Sequence, residues 1–71
     1  MTPDRLHALL TAAASNIELF DDRAVGFLED ITERFGVHGE DLRLSERQWR
    51  WLDAIGGTLT RNQIQWEEDI L

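Results

Sequence analysis

His38 lies between Gly36 and Gly39 and is followed closely by Glu40 and Asp41. One imidazole and two carboxylates in a loop are donor types that hold a divalent metal. They lack the spacing of a dedicated site, because no second His stands four residues away on a helix face and the chain has no Cys. His7 falls at the edge of an apolar helix face with Thr11 one turn on, the position of a boundary residue rather than a general base. Acid–base work by paired carboxylates needs one of the pair in an apolar pocket that shifts its proton affinity. Glu29 and Glu33 are four residues apart on a polar helix side, where water solvates both. There is no Gly-rich phosphate loop and no nucleophile elbow, and Ser15 and Ser45 read as a helix-end residue and a helix cap. These residues point to a non-enzymatic protein with no cofactor and no metal.

Binding chemistry is better represented. The stretch Arg47-Gln48-Trp49-Arg50-Trp51-Leu52 combines the two side-chain types most enriched at interface hot spots. Leu52 and Ile55 define the buried centre of this helix, and the two Trp flank it on opposite edges. Trp49 is engaged by a helix-start device, so Trp51, with Trp66 beyond it, is the expected exposed aromatic beside Arg47 and Arg50. The competing role for both Trp is to complete a small core.

A second candidate surface is anionic. Residues 16–41 carry eight carboxylates against Arg23 and Arg34, a net −6, and residues 42–66 are net +2. Glu67, Glu68 and Asp69 add a further −3. Asp22, Glu29, Asp30 and Glu33 fall on one helix. Such a face keeps a small protein soluble. It also matches a positive surface, such as a basic groove in which carboxylates stand in for phosphates. Direct binding of this face to nucleic acid is disfavoured by phosphate repulsion.

The elements that position these residues must fit in 71 residues, with seven Arg, no Lys, fourteen acidic side chains and a net charge of −7. One domain is the limit at this length. No run approaches the ~20 apolar residues of a membrane span, and the 42% hydrophobic content, with three Trp and three Phe, is too high for a disordered chain. Residues 6–14 resemble a secretory apolar region only superficially, since His7 interrupts them and Asp4 balances Arg5; the expected location is the cytoplasm.

The periodicity predicts an all-α bundle of three to four short helices at about 3–18, 22–35, 46–55 and 61–70. Thr2-Pro3 supplies an N-cap and a first-turn Pro, and Leu6, Leu9, Leu10, Ala13 and Ile17 form one face. Asp21-Asp22 caps the second helix, whose Ala24, Phe27, Leu28, Ile31 and Phe35 share a side; Gly36 is expected to end it. Leu44-Ser45-x-x-Gln48-Trp49 and Leu59-Thr60-x-x-Gln63-Ile64 each read as a capping box with a hydrophobic staple. Gly56-Gly57 is expected to separate these two helices into a corner.

The pattern Leu44-Ser45-x-Arg47-x-x-x-Trp51-Leu52-x-x-Ile55, then Leu59-Thr60-x-x-Gln63-Ile64, resembles the first two helices of the helix-turn-helix domains of LuxR-type regulators and sigma-factor region 4. That resemblance implies capping roles for Ser45 and Thr60 and core roles for the Leu and Ile positions. In that family the DNA-reading helix comes after the segment matching Thr60 to Gln65; here Gln65 replaces a small residue, acidic residues follow, and the chain stops at Leu71, so DNA reading is not implied. A second pattern, Phe27-Leu28-Glu29-x-Ile31-x-x-Arg34 leading to Leu44-Ser45-Glu46-Arg47-Gln48-x-x-Trp51-Leu52-x-x-Ile55, is similar to a short helical element of small phage, prophage and plasmid proteins. It implies a mobile-element setting and no mechanism.

The functional expectation is an acidic helical interaction protein, phage or mobile-element encoded, that inhibits or modulates a host protein or nucleoprotein machine, with an anti-CRISPR-like inhibitor as its most concrete form. Asp22, Glu29, Asp30 and Glu33 on one side, or Arg47, Arg50, Trp51 and Trp66 on the other, would touch the partner, without a membrane or direct nucleic-acid contact. The alternatives are a small nucleic-acid-binding or transcription-associated module using Arg43, Arg47, Arg50, Arg61, Asn62 and Gln63, and a self-associating subunit, such as a homodimer, pairing its apolar edges.

Overall fold

The computed structural model describes residues 3–66, which form three α-helices and two 3-10 turns with no strand among them. Helix α1 spans Pro3–Ser15, a 3-10 turn spans Ile17–Leu19, α2 spans Asp22–His38, a second 3-10 turn spans Gly39–Asp41, and α3 spans Glu46–Arg61. No helix among these residues is long and apolar enough to cross a membrane.

Each helix contributes at least one residue to a fully buried centre made of Leu9, Ile31, Leu52 and Leu59. Leu6, Leu10 and Ala13 of α1, Leu28 of α2 and Ile55 of α3 extend that centre, as the apolar periodicity requires. Phe20, Phe27, Phe35, Leu42, Leu44 and Trp49 pack around it as half-buried groups. Helix α1 contacts both of the others.

Two helix starts follow their sequence signals. The Asp21 carboxylate accepts from the Ala24 N–H at 2.8 Å, which satisfies one of the orphan donors of α2. Ser45 forms a complete capping box: its hydroxyl accepts from the Gln48 N–H at 3.2 Å, and the Gln48 side chain accepts from the Ser45 N–H at 2.8 Å. The proposed cap Thr2 lies outside the described residues.

The helix ends depart from expectation. Helix α1 stops at Ser15 rather than near residue 18, because Asn16 turns its side chain back to donate to the Ala12 carbonyl at 2.8 Å. Ile17 then falls in the 3-10 turn, 45% exposed, instead of on the apolar face. Helix α2 runs through Gly36 to His38. Its cap is Gly39, which adopts φ +54° and donates its N–H to the Phe35 carbonyl. That left-handed φ is readily available only without a Cβ.

Helix α3 continues through Gly56 and Gly57 to Arg61, where the sequence predicts two helices. There is no break after residue 55, so the two-helix corner is absent. Gly56 serves close packing: a Cβ there would lie 2.7 Å from Cζ2 of Trp66, and the indole N–H donates to the Gly56 carbonyl at 3.3 Å. No helix starts at Thr60. Instead the Ile64 N–H donates to the Leu59 carbonyl at 3.0 Å and the Gln63 N–H to the Thr60 carbonyl at 3.0 Å, with Gln63 at φ 62°. This is a Schellman C-cap with Gln in place of Gly. Residues 62–66 are non-helical, and the remainder of the anticipated fourth helix, with Glu67, Glu68 and Asp69, lies outside the described residues.

Candidate interaction surfaces

The carboxylates of α2 divide into two groups. Asp30 pairs with Arg34 at 3.1 Å, with both side chains about half exposed, and is locally neutralised. Asp22, Glu29 and Glu33 are exposed, and among the described residues no cation pairs with them. Glu29 and Glu33 stand one turn apart and rim a shallow apolar groove shared with α1. The anticipated anionic face is therefore narrower than its four members, and it has an apolar neighbour.

Trp51 stands on the other edge of α2. It is 36% exposed and stacks on Phe27, with ring centroids 4.2 Å apart and planes 22° from parallel. This stack carries part of the contact between α2 and α3. Arg47 lines a cleft beside Trp51 together with Asp21, Arg23 and Ala24. Arg23 precedes Trp51 by 28 positions, so no local sequence pattern joins them. Arg50 reaches back to Glu46 at 2.9 Å, an exposed i,i+4 pair of small energetic weight.

Trp66 does not belong to an exposed edge. It is 8% exposed, lies over Gly56, and has the Arg5 guanidinium 5.3 Å from its ring centroid. Its large apolar area completes the core in the space that Gly56 leaves open, which makes Trp66 a core residue of this fold rather than an exposed aromatic. Arg61, Asn62 and Gln63 are engaged at the end of α3: Arg61 donates to the Thr58 hydroxyl at 3.3 Å, Asn62 to the Thr58 carbonyl at 2.8 Å, and Gln63 is the left-handed capping residue. Even so, an unbroken α3 brings Arg47, Arg50 and Arg61 to one exposed side, because separations of three and eleven residues are close to whole turns.

His7 is exposed and lies alongside Phe35, with ring centroids 6.1 Å apart, which is the boundary position expected of it. His38 occupies the last turn of α2 instead of a loop. Among the described residues no three His, Asp or Glu side chains gather in a way that could hold a metal.

Comparison with protein-family models, with curated proteins and with solved structures yields no match to the chain.

Proposed function

We propose that this protein is a non-enzymatic, acidic helical interaction module that acts in the cytoplasm by occupying a positively charged surface of a protein or nucleoprotein machine. The observation that carries the reading is the strip of exposed carboxylates Asp22, Glu29 and Glu33, without a cation partner among the described residues, beside an apolar groove. Carboxylates kept unneutralised on a rigid helix offer a partner both charge complementarity and fixed register. An inhibitor encoded by a phage or other mobile element, anti-CRISPR-like in its mode, is the most concrete form: its carboxylates would take the places that phosphates occupy on a nucleic-acid-handling host protein.

The test is a comparative pull-down from host lysate at graded salt. The wild-type chain retains its partner at low salt and loses it as screening rises, and the Glu29→Lys/Asp30→Lys/Glu33→Lys variant retains none. Equal retention by wild type and variant removes the acidic-strip reading.

One observation favours a second reading. Arg47, Arg50 and Arg61 share an exposed side of α3 with Trp51 at its margin, and that arrangement would suit phosphate contacts with α2 turned away. A gel shift at low salt with duplex and single-stranded probes decides it: a shift that Arg47→Ala/Arg50→Ala abolishes supports it, and no shift excludes it.

A further inference from the structure

The groove beside the acidic flank exists because α1 ends early. With Asn16 closing the helix, Ile17 swings out of the core and becomes one wall with Ala14, opposite Val25 of α2, over a floor that includes Leu10 and Leu28. The opening has a volume of about 330 Å³, and its lining includes two carboxylates, Glu29 and Glu33, and no cation.

We propose that this groove docks an amphipathic helix of the partner, with aliphatic anchors on one face and Arg or Lys beside them. The proposal names the partner chemistry of the acidic-strip reading and rests on it. Apart from Thr32 and the two carboxylates, the lining side chains are aliphatic, so what they chiefly recognise is apolar area. Along α2 the groove runs from Val25 to Glu33, about 12 Å at 1.5 Å per residue. That length fits anchors two helical turns apart, the i and i+7 spacing of a helix laid in a groove. Glu29 and Glu33, one turn apart on the rim, then face two cations one turn apart on the incoming helix.

The same rim argues against other occupants. A second copy related by a two-fold axis brings an identical patch onto itself, and because the lining holds no cation, Glu29 and Glu33 would find no positive partner there. A nucleic acid meets carboxylates at the rim and finds hydrocarbon at the floor.

The test titrates the full chain, isotope-labelled for NMR, with two synthetic amphipathic helical peptides that share a Leu stripe and differ in having Arg or Glu beside it. The Arg-flanked peptide binds at least about tenfold more tightly than the Glu-flanked one, and the preference shrinks with salt. Amide shifts centre on Ala14, Ile17, Val25, Glu29 and Glu33. Ala14→Glu removes the binding, and Ile17→Ser, at an already exposed position, weakens it with the spectrum otherwise intact. Equal affinity for both peptides, or shifts centred on Trp51, overturns the proposal. So does binding that Glu29→Lys/Glu33→Lys abolishes but Ala14→Glu leaves untouched, a result under which the acidic strip still stands. A concentration-dependent dimer that Ala14→Glu dissociates overturns it in favour of a second copy.

Discussion

The indole of Trp66 rests on the backbone of Gly56 so closely that its N–H bonds the Gly56 carbonyl at 3.3 Å and its ring occupies the site of a Cβ, 2.7 Å from Cζ2. The next residue, Gly57, has nothing nearer to a Cβ than the Arg61 guanidinium at 3.8 Å. Adjacent glycines in one helix should therefore respond with opposite signs. Gly57→Ala stabilises by roughly 0.5–1 kcal/mol, the helix-propensity gain. Gly56→Ala forfeits that gain by displacing the ring and destabilises by roughly 1–3 kcal/mol. Urea unfolding of both variants followed by Trp fluorescence checks this, and a stabilised Gly56→Ala would show that the ring yields without cost.

The same pair shows why the end of α3 was hard to read. A Gly-Gly dipeptide marks helix termination in a local reading, and the residue that makes glycine necessary lies ten positions away. Leu59 and Ile64 illustrate a second ambiguity. A five-residue apolar spacing belongs both to the staple that opens a helix and to the Schellman contact that closes one. Ser45 and Thr60 offered matching signatures, and only tertiary packing separates them. The apolar faces of α1, α2 and α3 were legible because periodicity is local; the stacking of Trp51 on Phe27, and the cleft that Trp51 shares with Arg23, were not, since they join elements distant along the chain.

The two capping signatures make a direct comparison. Ser45→Ala removes a bond the structure contains and costs about 1 kcal/mol. Thr60→Ala touches no cap, because Thr60 lies exposed in the last turn of α3, and changes stability by less than about 0.5 kcal/mol. Thermal or denaturant midpoints of the two variants, measured side by side, distinguish a helix start at 45 from a helix end at 60. Equal losses would restore the fourth-helix start.

Gln63 adopts φ 62°, a conformation that β-carbon sterics penalise. Its backbone closes the Schellman motif, and its side chain is exposed. Gln63→Gly should stabilise the protein by about 0.5–1 kcal/mol, where glycine at an ordinary helical position lowers stability by a similar amount. The unfolding midpoint in urea rises with unchanged slope if the capping geometry is retained.

The Phe27–Trp51 stack ties α2 to α3 by laying the exposed Trp51 ring over the half-buried Phe27. A double-mutant cycle on Phe27→Ala and Trp51→Ala should return a coupling of about 0.5–1.5 kcal/mol, the range for aromatic pairs beyond area burial. A coupling near zero would mean that the rings contribute only their separate burial.

Asp30 and Glu33 sit three residues apart on α2, yet the structure assigns them different work. Asp30 is held by Arg34 at 3.1 Å with both partners about half exposed, so Asp30→Asn releases a surface pair worth at most about 1 kcal/mol. Because Asp30 does not line the groove, its loss should leave partner affinity within about twofold of wild type, a change well under 1.4 kcal/mol. Glu29→Gln and Glu33→Gln remove charge from the groove rim without breaking an ion pair among the described residues. They should leave folding stability within about 0.5 kcal/mol and weaken salt-sensitive partner binding, the two together more than either alone. Titration of the captured partner against each single variant at two salt concentrations separates the three carboxylates. If Asp30→Asn weakens binding as strongly as Glu33→Gln, the partner reads the whole face of α2 rather than its groove-side flank.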